Sequence, residues 1–450
     1  MLVLGLDIGT TGLCALVLDS DSGEVLKTIK KPNSARLESL NAYEKTQDPT
    51  GILEDCLEMV TQLFAEYENI ACIGVTGQMH GILYLDEKGD CLSPLYFWQD
   101  ESGNQNYNQT QTYAEYLTDL TGYKLASGFG LVTYFVHKHK DKLPAGAHKI
   151  CTIHDYVAMK LSGKSEPVMH SSDAASLGMF DLDKLSFDEK ALEKAEIDPK
   201  VLPKVTASFE ILGYYKGTVP VCVAIGDNQA SFIGSVKNVD ESILANVGTG
   251  SQMSFLSDKR TLPAGLELRP LVGNTFICVG SALCGGRAFA LLENFFRQTL
   301  CLIGNTELES TYPPIYDFLD RSSAPSDPLK VSSAFSGTRE NPLERGSIEN
   351  IGTENFTPGN LIWGFLDAIA QELYDMYALS GDKGKKYLIG SGGGLRKNHV
   401  LRSLFEEKFS MKIMIPEYEE EAAFGAALSA MVATGLKENL SAAQQIIRYL

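Results

Sequence analysis

The chain has 450 residues, of which 44% are hydrophobic, and it carries a formal net charge of -18 at pH 7. This length exceeds what one hydrophobic core usually organises, so we expect two domains, and the apolar content excludes an intrinsically disordered chain. The negative charge, with no local cluster of Lys and Arg, argues against a nucleic-acid partner.

Turn residues divide the N-terminal region into three apolar, β-rich runs. These runs are Leu2 to Asp7, Leu13 to Asp19 and Val25 to Ile29. They predict three antiparallel strands. Asp48 and Pro49 then supply an N-cap and a first-turn proline for a helix. The runs 71–76 and 82–85 predict strands on either side of Gly77-Gln78-Met79-His80-Gly81, which indicates a mixed α/β sheet.

A similar arrangement follows residue 220. The predicted elements are the strands 221–225, 242–247, 251–256 and 387–389, the helix 400–409, the strand 412–415 and the helix 421–434. Gly248-Thr249-Gly250 separates two of these strands, as Gly9-Thr10-Thr11-Gly12 does near the N-terminus. The chain therefore looks like two related α/β halves, and we predict domains at 1–237 and 238–450 joined by a short hinge.

Both Gly-Thr hairpins can cradle phosphate oxygens, because a tight turn of Gly and Thr leaves backbone N–H groups unpaired and hydroxyls nearby. Taken alone, each is more often an ordinary hairpin turn, because Gly/Thr turns are common. Their matching positions in the two halves favour phosphate binding. Asp7 precedes the first hairpin and is either a turn cap or, through water, a ligand of Mg²⁺.

Further strand ends carry side chains suited to small ligands. Gln78, Met79 and His80 offer the amide, thioether and imidazole that a polyol or ketose needs, although His80 also suits a structural role. Asp227 either deprotonates a sugar hydroxyl or caps the helix that follows it. Gly392-Gly393-Gly394 lets a nucleotide approach the backbone, yet it matches neither the dinucleotide fingerprint nor a P-loop.

The nine cysteines are scattered without C-x-x-C spacing, several inside apolar runs. This pattern favours buried free thiols over metal ligands or disulfides, and so a reducing compartment. The N-terminus shows no basic leader, and its apolar run is too short for a signal peptide or a membrane span. We therefore expect a cytoplasmic protein with no membrane partner.

Six ordered motifs resemble the FGGY family of carbohydrate kinases over essentially the whole chain. They are Asp7-Ile8-Gly9-Thr10-Thr11, Gly77-Gln78-Met79-His80-Gly81, Trp98-Gln99-Asp100, Gly226-Asp227-Asn228, Gly248-Thr249-Gly250, and the C-terminal Gly392-Gly393-Gly394 with residues 421–427. The stretches 151–163, 172–180 and 228–231 look most like the sedoheptulokinase branch.

The resemblance implies two ribonuclease H-like domains of the actin-like ATPase fold, with the active site in an interdomain cleft. It implies that ATP, with Mg²⁺, phosphorylates a terminal hydroxyl of a small sugar. The expected sugar is sedoheptulose, with D-xylulose or another pentulose or polyol as the alternative. Dimers are common among similar kinases, so a homodimer is compatible with the chain.

The resemblance also implies roles for individual residues. Asp227 would be the catalytic base, and Asp7 would serve the metal and the phosphates. The sugar would contact Gln78, Met79, His80, Trp98, Asp100, Asp227 and Asn228. The nucleotide would contact Gly9, Thr10, Thr11, Gly248, Thr249, Gly250, Gly393, Gly394, Leu395 and Asn398.

Two positions depart from the family pattern. Cys14 and Ser102 stand where relatives often carry a basic residue, so less positive charge should surround the phosphates and Asp100. Two other classes of function compete: an actin-like scaffold ATPase, which would not need the motifs at 77–81 and 98–100, and a sugar sensor without turnover. The stretch 303–358 is either a peripheral insertion or part of an oligomer contact.

Overall fold

The computed structural model describes residues 1–338, 341 and 343–450. Contacts within the chain divide it into two compact units. The first comprises Met1–Lys237, Arg269–Thr275 and Glu420–Ile447, and the second comprises Asn238–Leu268, Phe276–Glu419 and Arg448–Leu450. The main division thus falls between residues 237 and 238, while a C-terminal segment groups with the first unit. The family resemblance implies that residues 1–237 bind the sugar and residues 238–450 bind ATP, and both assignments stay predictions.

A mixed β-sheet organises the first unit. Its strand order is Ile211–Tyr215, Val219–Cys222, Ile70–Gly77, Leu2–Ile8, Gly12–Asp19 and Val25–Pro32, with Ile225–Gly226 also paired to Ile70–Gly77. The three N-terminal strands are antiparallel, as predicted. Leu2–Ile8 runs parallel to Ile70–Gly77, so the carboxyl ends of these two strands lie at one edge of the sheet.

Helices and short strand pairs complete the first unit. The helices are Pro49–Glu66, Tyr113–Thr121, Gly130–His139, Ile153–Leu161, Ser171–Leu177, Glu189–Lys194, Asp227–Ser235, Glu421–Ala433 and Leu440–Gln444. The short strands are Arg36–Leu37, Thr46–Gln47, Leu83–Leu85, Leu95–Tyr96, Lys149–Cys151, Val168–His170, Phe180–Asp181, Ser186–Phe187 and Lys204–Thr206. Pro49–Glu66 begins as predicted, because the Asp48 side chain accepts a hydrogen bond from Thr50 N.

Glycines let the helix Glu421–Ala433 lie directly on the sheet of the first unit. A Cβ atom added at Gly5 or at Gly74 would stand 1.9 Å from a carbonyl oxygen of this helix. A Cβ atom on Gly425 would stand equally close to Ala230 O in the helix Asp227–Ser235. No side chain other than hydrogen fits at these distances, so the small-residue motif near the C-terminus packs behind the strands that carry Asp7 and Gln78.

We expect Gly74→Ala to lower the free energy of unfolding by about 3 kcal/mol, since the new methyl group must displace helix backbone rather than a flexible side chain. Urea unfolding monitored by circular dichroism measures this loss. Gly384→Ala is the matched control, because an added Cβ atom there meets only an Asp382 oxygen at 3.9 Å. Equal stability of the two variants would contradict the packing argument.

The second unit is built on a sheet with the strand order Leu266–Pro270, Phe276–Ala282, Ser251–Leu256, Ser242–Val247, Tyr387–Ser391 and Ile413–Met414. The last two residues of Leu266–Pro270 group with the first unit. Its helices are Gly285–Gly304, Tyr312–Arg321, Pro358–Ser380, Gly392–Lys397 and His399–Phe409. Lys330–Val331 and Ile348–Glu349 pair separately. This pair and the helix Tyr312–Arg321 belong to the stretch 303–358, of which residues 339, 340 and 342 lie outside the described part of the chain.

The two units repeat one pattern of strand pairing. In each, a hairpin joins two antiparallel strands, Leu2–Ile8 with Gly12–Asp19 and Ser242–Val247 with Ser251–Leu256. In each, the first strand of the hairpin also pairs in parallel with a strand that arrives later in the chain, Ile70–Gly77 or Tyr387–Ser391. The predicted relationship between the halves therefore extends from the turn motifs to the sheet topology.

The nine cysteines are free thiols, and all except Cys91 and Cys301 are buried, in line with the prediction from their apolar surroundings. Within the described residues, no helix has both the length and the apolar character needed to cross a membrane.

Candidate functional site

The predicted site residues of the first unit lie at the carboxyl ends of adjacent parallel strands. Ile70–Gly77 pairs on one side with Leu2–Ile8 and on the other with Ile225–Gly226. Asp7, Gln78 and Asp227 therefore reach the same edge of the sheet. Gln78 N donates to Ile8 O at 2.9 Å, which ties this edge together.

An irregularity in the sheet immediately precedes Asp227. The predicted strand 221–225 is in fact two strands, Val219–Cys222 and Ile225–Gly226, both paired with Ile70–Gly77. Val221 lies opposite Ile73, and Ile225 lies opposite Thr76. The segment from Val221 to Ile225 therefore contains one residue more than the segment of Ile70–Gly77 that it faces. Such a bulge bends a strand and changes where its end points, a feature common beside active sites.

Asp227 is the first residue of the helix Asp227–Ser235, and Gly226 occupies the N-cap without a side-chain hydrogen bond. Asp227 is thus not the N-cap of this helix, which was the alternative role that the sequence allowed. Asp227 Oδ1 accepts a hydrogen bond from Asn228 N at 2.7 Å. Burial raises the pKa of Asp227, while the charges of His154 and Arg269 act in the opposite direction. A carboxyl group whose pKa lies above its ordinary value is suited to accept a proton.

Asp7 supplies a second carboxylate at this edge. Burial, together with the negative charges of Asp227 and Glu420, raises the pKa of Asp7 to about 7. Its Oδ1 atom is buried and has no hydrogen-bond partner among the described residues. A buried carboxylate oxygen without a donor, set among further carboxylates, fits a divalent cation such as Mg²⁺, which prefers carboxylate oxygens.

Hydrogen bonds connect the first Gly-Thr hairpin to the residues predicted to bind sugar. Trp98 Nε1 donates to Thr10 Oγ1 at 2.8 Å, and this hydroxyl donates to Gln78 Oε1 at 3.0 Å. Gln47 closes the network, because it accepts from Gln78 Nε2 at 2.8 Å and donates to Thr10 O at 2.9 Å. Asn33 Nδ2 further braces the hairpin by donating to Gly9 O. No sequence signal distinguishes Gln47, which lies just before a helix cap.

The side chains of Met79 and His80 have different surroundings. Met79 is buried, and a Cβ atom added at Gly226 would lie 2.6 Å from its sulfur, so Met79 packs against the residue before Asp227. His80 adopts φ 76°, a left-handed conformation that is unusual for a residue with a side chain. Its Nδ1 atom lies 2.8 Å from Ser176 O and must carry the proton of that hydrogen bond, while the ring stacks on Phe129.

Asp100 is almost fully buried, in contrast to the half-exposed Trp98. Its two oxygens accept hydrogen bonds from the backbone N–H groups of Ser102 and Lys45 at 3.0 and 3.1 Å. Backbone N–H groups thus provide the donors for this carboxylate, while position 102 holds a serine. Contact between Asp100 and a sugar stays a prediction.

Two cations missed by sequence analysis lie near this edge. Arg269 Nη1 donates to Asn228 Oδ1 at 3.2 Å. Lys30 stands opposite Cys14 in the strand pairing and forms an ion pair with Glu420. A lone Arg or Lys in a strand carries no sequence signal of its own. Positive charge therefore reaches the site from positions other than Cys14 and Ser102.

A buried cluster of ionisable groups lies behind Asp227. His154 Nε2 is 3.0 Å from Asp173 Oδ1, and both side chains are completely buried. Burial and the charge of Asp227 raise the pKa of Asp173 well above its ordinary value, whereas burial lowers the pKa of His154. Asp155 accepts from Thr152 Oγ1 at 2.7 Å, and burial raises its pKa to about 7. These residues belong to the stretches 151–163 and 172–180, on which the resemblance to the sedoheptulokinase branch was based.

We expect the stability of wild type relative to Asp155→Asn to fall by about 2–3 kcal/mol as the pH rises from 5 to 7. The folded chain holds the Asp155 proton up to about pH 7, but the unfolded chain releases it near pH 4. This contribution is therefore fully present below about pH 4 and is lost as the pH rises through 7. Urea unfolding of both proteins measures it, and the effects of titrating groups that do not interact with Asp155 cancel in the difference.

Asp119→Asn serves as the control for this pH dependence, since Asp119 is exposed and accepts a hydrogen bond from Gln111 at the surface. Its stability relative to wild type should stay constant over the same pH range. A constant difference for Asp155→Asn as well would contradict the assignment of a raised pKa to Asp155.

In the second unit the Gly-Thr hairpin lies against the start of the helix Gly285–Gly304. Gly286 N and Arg287 N donate to the carbonyl oxygens of Gly248 and Thr249 at 3.0 and 2.9 Å. Thr249 is exposed, and Gly248 and Gly250 are partly exposed. The hairpin is thus fixed by its backbone while its hydroxyl faces solvent, the arrangement expected for a phosphate-binding turn.

The triglycine segment begins the helix Gly392–Lys397 next to this hairpin. Asn246 Nδ2 donates to Ser391 Oγ at 2.8 Å, and a Cβ atom on Gly394 would lie 2.7 Å from Val247. Gly393 is exposed. By contrast, Leu395 is fully buried in the core and Asn398 caps the next helix through Leu401 N. Nucleotide binding by these residues stays a prediction.

Comparison with known proteins relates both units to sugar kinases. Residues 2–234 match the N-terminal domain of the FGGY family of carbohydrate kinases, and residues 244–434 match its C-terminal domain. The sedoheptulokinase of Mus musculus is 26% identical over 94% of this chain and 96% of its own. The gluconokinase of Bacillus subtilis strain 168 is 23% identical over 99% and 90%, respectively.

A solved structure, the gluconate kinase from Lactobacillus acidophilus, superposes on all of this chain and on 92% of its own chain with a TM-score of 0.86 at 21% identity. This agreement concerns the fold. It confirms the prediction of an α/β protein with two domains of the actin-like ATPase type.

Proposed function

Because the chain belongs to the FGGY family of carbohydrate kinases, and is thus an ATP-dependent carbohydrate kinase, we propose that it phosphorylates a terminal hydroxyl of a ketose, with sedoheptulose as the first candidate. The family and the enzyme class predicted from the motifs are confirmed. The sugar and the roles of individual residues form the proposal.

The position of Asp227 carries the proposal. Its carboxylate follows a bulge at the carboxyl end of a strand that runs parallel to Ile70–Gly77. Gln78 follows Ile70–Gly77, which pairs on its other side with the strand that carries Asp7. Burial raises its pKa toward the range in which a general base works best. Asp227 would accept the proton of the sugar hydroxyl as that oxygen attacks the γ-phosphorus of ATP.

Phosphoryl transfer demands positioning and charge stabilisation more than covalent chemistry by the protein. The hydrogen-bonded network of Thr10, Gln78 and Trp98 would fix the hairpin that faces the phosphates. Met79 and His80 would shape the sugar side, where the strained backbone of His80 holds its ring beside Phe129. In the second unit, Gly248, Thr249 and Gly250 would bind phosphate through backbone N–H groups and a hydroxyl.

Asp7 would hold the Mg²⁺ ion that accompanies ATP, because its buried Oδ1 atom has no hydrogen-bond donor among the described residues. The negative charges of Asp227 and Glu420 also favour a cation at this position. When bound, the ion would neutralise negative charge on the transferred phosphate. In its absence, burial and repulsion by Asp227 raise the pKa of Asp7 and favour its protonation, so a cation would also keep this carboxylate ionised.

The choice of sugar rests on the sedoheptulokinase resemblance, which covers nearly the full length of both chains. D-xylulose or another pentulose or polyol is the alternative. Gluconate is a further candidate because two relatives carry that name. Coupled detection of ADP with sedoheptulose, D-xylulose, gluconate and glycerol at equal concentrations tests the proposal. Sedoheptulose should give the largest kcat/KM, and a preference for gluconate or glycerol would overturn the ketose assignment.

The same assay separates this proposal from the two competing classes. A scaffold ATPase would release ADP at the same rate without sugar, whereas a sensor would bind sugar without releasing ADP. Membership of a carbohydrate kinase family disfavours both.

A further inference from the structure

Arg269 and Asn228 form a hydrogen bond directly beside Asp227. Arg269 Nη1 donates to Asn228 Oδ1 at 3.2 Å, and both side chains are partly buried. Asn228 follows Asp227 in the chain, and its backbone N–H donates to Asp227 Oδ1. The guanidinium group is therefore linked to the proposed base through a single residue.

The segment that carries Arg269 is anchored on the first unit at further points. Gln229 Nε2 donates to Pro270 O at 3.0 Å, and Gly273 N donates to Ala207 O at 2.6 Å. The backbone that follows Arg269 is thus attached to residues of the same unit, so the contact with Asn228 does not depend on one long side chain alone.

The contact determines which way the Asn228 amide faces. A guanidinium group offers only hydrogen-bond donors, so Asn228 must turn its oxygen toward Arg269 and its NH₂ group away from it. Among the described residues, Asn228 Nδ2 donates to no acceptor. Two N–H groups next to Asp227 are therefore oriented for a ligand oxygen.

We propose that Arg269 is a positioning residue that holds the Asn228 amide so that Nδ2 donates to the same hydroxyl oxygen whose proton Asp227 accepts, an inference that rests on the proposed kinase function. A hydroxyl has one proton and two lone pairs. An N–H group aimed at a lone pair turns the proton toward Asp227. An inverted amide would instead present Oδ1 as a second acceptor, and the single proton would be divided between two partners.

The test is a double-mutant cycle in kcat, measured with saturating ATP and the preferred ketose. Arg269→Met should lower kcat about tenfold, the effect of losing one productive hydrogen bond, and should leave the KM for ATP unchanged. In the Asn228→Ala background the same substitution should change kcat less than twofold, because the amide that Arg269 orients is absent. Arg269→Lys, which also offers only donors, should recover most of the wild-type kcat.

An equal loss of kcat in both backgrounds would overturn the proposal, as would a rise in the KM for sugar with kcat unchanged, since that pattern indicates ground-state binding by Arg269 itself. Far-UV circular dichroism of each variant shows whether a loss of kcat is caused by unfolding. If Arg269→Met is unfolded, the kcat of Arg269→Lys tests the proposal in its place. Failure of the kinase proposal gives a different result: wild type would turn over no member of the sugar panel, or Asp227→Asn would remain active.

Discussion

Asp227→Asn is expected to reduce kcat by a factor of about 10³ without loss of sugar binding, because the amide keeps the size of the carboxylate but cannot accept the hydroxyl proton. Coupled ADP release measures kcat, and isothermal titration calorimetry with the ketose measures binding. The helix Asp227–Ser235 should be unaffected, since Gly226 occupies its N-cap and the amide oxygen can still accept the hydrogen bond from Asn228 N.

Asp183→Asn is the matched control, because Asp183 is an exposed aspartate in the same unit and lies outside the proposed site. It should retain wild-type turnover. If Asp227→Asn retained more than about a tenth of the wild-type kcat, the general-base role would be wrong, because positioned bases contribute about 10²–10⁴ to rate.

His154→Leu is expected to lower the free energy of unfolding by about 3 kcal/mol, the upper end for a buried polar group left without a partner, since it deprives Asp173 of the imidazole that lies 3.0 Å away. Adding Asp173→Leu should recover a large part of this loss, because two apolar groups of similar volume can replace a buried polar pair at little cost. Urea unfolding of the two single variants and the double variant measures the coupling.

The control for this cycle is His148→Leu, because the side chain of His148 is partly exposed and lies 3.9 Å from the exposed Glu166. Its effect should stay within about 0.5 kcal/mol, as for most surface positions. Strictly additive effects of His154→Leu and Asp173→Leu would show that the two residues do not depend on each other.

The sequence predicted those elements whose signals are local. The N-terminal strands and the helix Pro49–Glu66 were evident from alternating apolar runs, turn residues and the Asp48 cap. The break between Val219–Cys222 and Ile225–Gly226 was missed, because a continuous apolar run does not reveal a one-residue change of register with a distant strand.

The residues of the proposed site also divide into those with a local sequence signal and those without one. Asp7, Gln78 and Asp227 were predicted as site residues because each lies at or just after the end of a predicted strand within a distinctive motif. The structure places their strands in one sheet, while their roles stay predictions. Gln47 and Arg269 were missed because their importance comes from partners 31 and 41 positions away in the chain. Neither residue differs locally from an ordinary surface side chain.

The sequence by itself determined the family and the repeated strand–hairpin–strand pattern, and it supplied the carboxylates proposed for catalysis, since these depend on residue order and short-range periodicity. Only the tertiary structure decided that the helix Glu421–Ala433 belongs to the first unit, and that Leu395 is buried in the core of the second. Close packing is the physical reason. Glycines such as Gly5 admit one particular helix backbone, and a match of this kind between remote segments is visible only when both are in place.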